Sequence, residues 1–106
     1  MGVYFWQAPA AVAAGVPYAP PASAGVPRVA AVRAIQIQPQ ASGVTTANIF
    51  ESGVASGAGG GTSGAAAAGQ ATFSATAQQF ASGDAIPANA VILVNVVEDG
   101  GQPINP

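Results

Sequence analysis

The chain has 106 residues, half of them apolar, with 14 Gly, 9 Pro, no Cys and no His. Its only cations are Arg28 and Arg33, set against four acids for a net charge of −2. That length holds one domain. Two arginines cannot supply the counterion release that nucleic-acid binding needs, and the missing Cys, His and Lys exclude a disulfide framework, thiolate metal sites and a P-loop.

Residues 1–27 read as an extended, Pro-rich N-terminal arm. Pro9, Pro17, Pro20, Pro21 and Pro27 fix φ and remove backbone donors, which forbids a long helix and favours polyproline-like backbone. Tyr4, Phe5 and Trp6 crowd at the tip, where leaving each in water forgoes about 1.5–3 kcal/mol of burial. Tyr4, Phe5 and Trp6, with Val16 and Tyr18 further along, are therefore expected to form a subunit interface. A disordered tail is the competing reading. No basic segment precedes a continuous apolar stretch, so a leader for general secretion is not expected. No stretch approaches the roughly 20 apolar residues of a spanning helix, and no membrane span is expected.

Residues 28–106 read as a β domain. In RVAAVRAIQIQ (28–38), Val29, Ala31, Ile35 and Ile37 share one face with Arg33, while Gln36 and Gln38 take the other. VTTANIFE (44–51) is rich in β-formers and pairs with it as a hairpin through Ser42-Gly43. The Gly/Ala-rich run 52–69 reads as a long loop. From Ala71 to Gln78 apolar and polar residues alternate strictly, which gives a strand, with a bulge turning Phe80 inward. A helical stripe of Phe73, Ala77, Phe80 and Ala81 fits the same residues. After a turn at Ser82-Gly83-Asp84 comes AVILVNVVE (90–98), apolar on both parities, which predicts a strand covered on both faces. The rest of the chain is expected to be arranged around it, with Glu98-Asp99-Gly100-Gly101 as its stop.

Few residues carry chemistry. Gly59-Gly60-Gly61-Thr62-Ser63-Gly64 matches GxGxxG, with Asp84 behind it, but a dinucleotide site needs the acid at the end of the following strand, and here it precedes that strand. Glu98 and Asp99 are neighbours and point to opposite faces of an extended chain, so they cannot act as a pair. Glu51, Asp84, Glu98 and Asp99 read as turn formers and solubilising charges, and Arg33 as a solvated or carboxylate-paired edge charge. A calcium site built on Asp84 or Asp99 with loop carbonyls is the alternative. No catalytic, cofactor-binding or metal-binding residue is assigned, and no small-molecule substrate is expected.

The segment FSATAQQFASGDAIPANAVILVNVV resembles the strand, turn, "IPA-x-AVI" lead-in and apolar strand of small β-rich structural proteins of tailed-phage virions. The aromatic, Pro-rich arm is similar in kind to the arms with which such proteins grip their neighbours. The resemblance implies a capsid, decoration or tail component without catalysis.

The chain is thus expected to be a small all-β domain, a β-sandwich or jelly-roll-like unit. Its expected role is a non-enzymatic subunit of a virion, a minor capsid or decoration protein held by its arm. Its partners would be copies of itself and other structural proteins. The alternatives are a subunit of an extracellular or cell-surface filament and a small surface-binding or adhesion module.

Overall fold

The computed structural model describes residues 2–40, 49–56 and 66–104, with the backbone alone at 52–56. The Val/Ile/Leu run forms a strand that lies between the two ends of the polypeptide's first third. Numbered along the chain, the strands are β1 (Gly2–Gln7), β2 (Pro27–Gln38), β3 (Ile49–Ser56), β4 (Gln70–Ser74), β5 (Gln79–Ser82) and β6 (Val91–Pro103). They are hydrogen-bonded into one sheet of order β1-β6-β2-β3-β4-β5. All neighbouring pairs are antiparallel except β3–β4. The all-β class holds, and helix among the described residues is limited to a 3₁₀ turn at Ala22–Ala24. A sandwich or jelly roll is made of two sheets, whereas these six strands form a single one.

The N-terminal segment departs most from expectation. Residues 2–7 pair with β6 in continuous register, from Gly2 opposite Val96 to Gln7 opposite Val91. No proline lies before Pro9, so this stretch keeps every ladder donor that the later part of the arm lacks. The antiparallel lacing then continues beyond the strand. Ala8 N–H donates to the Ala90 carbonyl, Val12 and Ile86 exchange both backbone bonds at 2.8 Å, Gly15 N–H donates to the Ser82 carbonyl, and Tyr18 and Phe80 again exchange both. Residues 2–18 thus run back along 96–80 and stitch the two ends of the sheet together.

This stitching curls the sheet. In a flat sheet β1 and β5, five strand spacings apart, would lie about 24 Å from each other. Instead the ring of Trp6 on β1 is 6.1 Å from that of Phe80 on β5. Tyr18 and Phe73 complete the aromatic cluster, each about one ring width from Phe80, at 6.0 and 5.1 Å. Around them the inner sheet face contributes Val29, Val32, Ile35, Ile37, Ile92, Val94 and Val96, all buried.

Four further expectations are corrected. The strand at 90–98 is not covered on both faces. Ile92, Val94 and Val96 are buried, but Leu93, Asn95 and Val97 point outward, because no second layer lies on that side among the described residues. This strand also runs on to Pro103: Gly100 adopts φ +70°, a conformation glycine takes freely, and the backbone rejoins β2 at Pro27. The strand expected over 71–78 is a hairpin instead. Its turn occupies 75–78, Gln78 takes φ +54°, and Phe80 faces Phe73 directly across the pair.

Arg33 does not share the face of Val29, Ile35 and Ile37. Register shifts fall between Val29 and Ala31 and between Val32 and Ala34, where two residues of β2 oppose one of β6. Each bulge inverts the side-chain alternation. Val29, Val32 and Ile35 are therefore all buried, three residues apart, and Arg33 is expelled to solvent.

The end of the expected partner strand pairs antiparallel with β2 as a hairpin requires, with Ile35 opposite Glu51 and Ile37 opposite Ile49. Residues 41–48, which include the expected turn and the start of the second strand, lie outside the described residues. The expected loop at 52–69 gives its first five residues to β3. Parallel neighbours need a crossover of a dozen or more residues, and 57–69 supplies that length between β3 and β4. The GxGxxG match also lies outside the described residues.

Candidate subunit interface

Of the five residues expected at a subunit contact, two belong to the chain's own interior. Trp6 is 7% exposed and packs with Tyr18 and Phe80. Its position follows from parity: in β1, residues 2, 4 and 6 face inward, so the middle aromatic of the Tyr4-Phe5-Trp6 run is turned out. Tyr18 is held by its backbone exchange with Phe80. Burial, and then the negative charge of Glu51, push the Tyr18 phenol far above its usual range. Its hydroxyl is buried and has no hydrogen-bond partner among the described residues. Tyr4 is half-buried beside Glu98, and burial followed by the hydrogen bond to that carboxylate raises its phenol as well. Phe5 and Val16 are exposed, on opposite layers of the molecule: Phe5 on the outer sheet face, Val16 in the segment that closes the inner one.

The register assembles around Phe5 a site that was not anticipated. Phe5 lies opposite Leu93, Leu93 opposite Gln36, and Gln36 opposite Phe50. These four residues form a row across β1, β6, β2 and β3 on the outer face. Phe5 is 69% exposed, Phe50 66% and Leu93 37%. Val3 and Val97 extend the apolar surface toward the next rows, beside Asn95 and Ala34. No charged side chain occupies the row. Away from the row, a cleft of about 440 Å³ is lined by Gly2, Arg33, Asn95, Val96, Val97 and Glu98, with Glu98 on the inner-face side beside Tyr4. The signal for this face is the both-parity apolar pattern of 91–97, which implies a strand covered on both faces without saying by what.

A second cluster concerns Glu51. It sits on the inner face beside Ile35 and is fully buried, so it is neither a turn former nor a solubilising charge. Its carboxylate accepts the Ser82 hydroxyl at 2.5 Å, the Gly83 amide at 2.8 Å and the Asp84 amide at 3.3 Å. Burial raises its pKa, against the lowering effect of the Ser82 and Gly83 hydrogen bonds. Gly83 is required here by close approach, because a Cβ would lie 1.9 Å from the Ala67 carbonyl oxygen. A serine hydroxyl on a carboxylate resembles an activated nucleophile, but Ser82 and Glu51 are both shut off from solvent. The arrangement is a lock between β3 and the turn after β5.

The other charged groups lie outside. Arg28 and Asp99 approach to 3.7 Å, both about half exposed, a geometry worth little in water. An apolar groove of about 260 Å³ runs along the closing segment, lined by Trp6, Pro9, Val12, Tyr18, Pro21 and Ile92. Among the described residues no three acids lie together, and no helix is long and apolar enough to cross a membrane. Comparison of the chain with protein-family models, curated proteins and solved structures finds no match to any of them.

Proposed function

We propose that the chain is a non-enzymatic structural subunit of a repeated protein assembly, a virion component of the minor capsid or decoration kind. The observation that carries this reading is the outer sheet face. In a chain with only six charged residues, it leaves two phenylalanines about two-thirds exposed in one uncharged row. Contiguous apolar surface of this kind marks interaction sites on soluble domains. The virion assignment rests on the resemblance of 73–97 to phage structural proteins. Neighbouring subunits contribute the missing second layer, which makes the unit sandwich-like only in the assembly. The N-terminal segment contributes through Val3 and Phe5 on β1 rather than by reaching away.

A filament subunit is the second reading. It is favoured by β1 as an end strand of the sheet, six residues without proline or charge, which is the form an edge takes when nothing guards it against strand addition. Sedimentation of the purified chain over a hundredfold concentration range, with electron microscopy of the heavy fraction, tests both. Association that grows with concentration into shells or flat lattices is expected. Filaments would favour the second reading, and a monomer at every concentration would contradict both.

A further inference from the structure

From the backbone pattern on the free side of β1 we infer a contact between copies: β1 of one chain pairs antiparallel with β1 of another, about a twofold axis at Phe5. The inference rests on the reading of the chain as an assembly subunit and names the partner of this strand. The pairing with β6 decides which groups are already in use. Ala8 N–H donates to the Ala90 carbonyl, the Ala8 carbonyl accepts the Asn89 N–H, and Val12 and Ile86 exchange both bonds. The same register carried back sets Gly2, Tyr4 and Trp6 opposite Val96, Val94 and Ile92, with their N–H and C=O groups directed at β6. The N–H and C=O groups of Val3, Phe5 and Gln7 then point away from the sheet, and all three residues are exposed. Among the described residues no backbone hydrogen bond from outside β6 reaches them.

The other end of the sheet is treated differently. There the outer side of β5 is taken by Tyr18, which exchanges both bonds with Phe80. An uncovered edge normally carries charges, prolines or bulges that discourage a second strand. β1 has none of them: GVYFWQ holds no charge and no proline, and its register with β6 is unbroken.

The strand also suits itself. With the axis at Phe5, Val3 of each copy faces Gln7 of the other, Phe5 faces Phe5, and every facing pair exchanges both backbone bonds. All the outward backbone groups of Val3, Phe5 and Gln7 then find partners. The two Phe5 rings, exposed in the single chain, become cross-strand neighbours on the outer side, an aromatic pairing that stabilises sheets. Main-chain bonds rather than area hold a contact of this kind. The axis closes it at two copies, so the edge builds a pair and further growth falls to other surfaces.

Charges at Val3 and Gln7 test the contact and its register together. Both side chains are exposed, and they lie opposite Asn95 and Val91 in their own sheet, so a charge at either position faces no other charge across β6. Val3→Lys with Gln7→Lys sets lysine against lysine at both ends of the pair. Val3→Glu with Gln7→Lys sets glutamate against lysine instead. Both double variants are expected to melt like the unaltered chain when dilute. In sedimentation equilibrium the lysine–lysine variant is expected to associate about tenfold more weakly than the unaltered chain, because like charges then face each other. The glutamate–lysine variant is expected to recover most of that loss. Undiminished association of the lysine–lysine variant overturns the inference, since the edge would then not be the contact. Equal weakening of the two variants overturns it too, since Val3 and Gln7 would then not face each other; the assembly reading survives in both cases if the unaltered chain still associates. An unaltered chain that never associates removes both.

Discussion

At the scale of single residues, the decisive facts concern which groups the core accepts. Trp6 was expected to bury against a neighbour, and the chain buries it in its own interior instead. The two alternatives separate in a urea titration at concentrations too low for association. Trp6→Ala should cost about 3–5 kcal/mol, as truncation of a core aromatic does, whereas a residue destined for a neighbour would leave monomer stability unchanged.

Glu51 makes the pH profile informative. Its folded pKa lies above the ordinary 4.5 because burial opposes the charge, so the folded chain holds that proton more tightly than the unfolded one. This contribution to stability is fully present below about 4.5 and is lost as pH rises through the raised pKa. Below it the Ser82 hydroxyl keeps an acceptor in the Asp84 carbonyl, at 2.8 Å. Chemical denaturation followed from pH 4 to 8 should show the decline, and Glu51→Gln should flatten it. Tyr18→Phe removes a hydroxyl that finds no partner among the described residues, so melting should be unchanged or raised by up to about 1 kcal/mol; a fall of 2 kcal/mol or more would show that the hydroxyl is bonded after all. None of these placements was legible in the sequence. A glutamate in VTTANIFE looks like any strand-end charge until the register sets it beside Ile35 on the inner face.

Elements were more legible than their details. The 28–38 and 91–97 strands both show in β-branched content, and both are formed; of the expected partner at 44–51, Ile49 to Glu51 pair with β2. Bulges were not legible, because nothing in RVAAVRAIQIQ marks where two residues will oppose one. The fold satisfies what one bulge exposes by a long-range contact: the Gln78 amide accepts the Val29 N–H at 2.8 Å and donates to the Val29 carbonyl at 3.1 Å. Gln78→Ala should therefore cost about 1–3 kcal/mol by leaving buried backbone groups unpaired, read in the same denaturation assay. A loss under 0.5 kcal/mol would mean that water replaces the amide. Parity gives a sharper test on β6. Val94→Asp on the buried side should abolish the cooperative melt, since an unpaired charge there costs several kcal/mol, while the same change one residue earlier leaves the fold intact.

For the molecule as a whole, the organising feature is the return of residues 2–18 along 96–80, which closes a single sheet on itself. A Pro-rich terminus suggested reach, and length alone permitted it. The prolines, however, all fall after Gln7 and line the closing segment, so they shape the cover of the core rather than an arm. Residues 2–20 are consequently part of the fold, and a chain lacking them should lose its cooperative transition. The closure leaves one face of four strands open, and the central claim is that this face is a contact. Sedimentation equilibrium of the Phe5→Ser, Phe50→Ser double variant beside the unaltered chain addresses it most directly, because both side chains are outside the core. The account predicts the same melting temperature when dilute and association weakened at least tenfold. Undiminished association would contradict it.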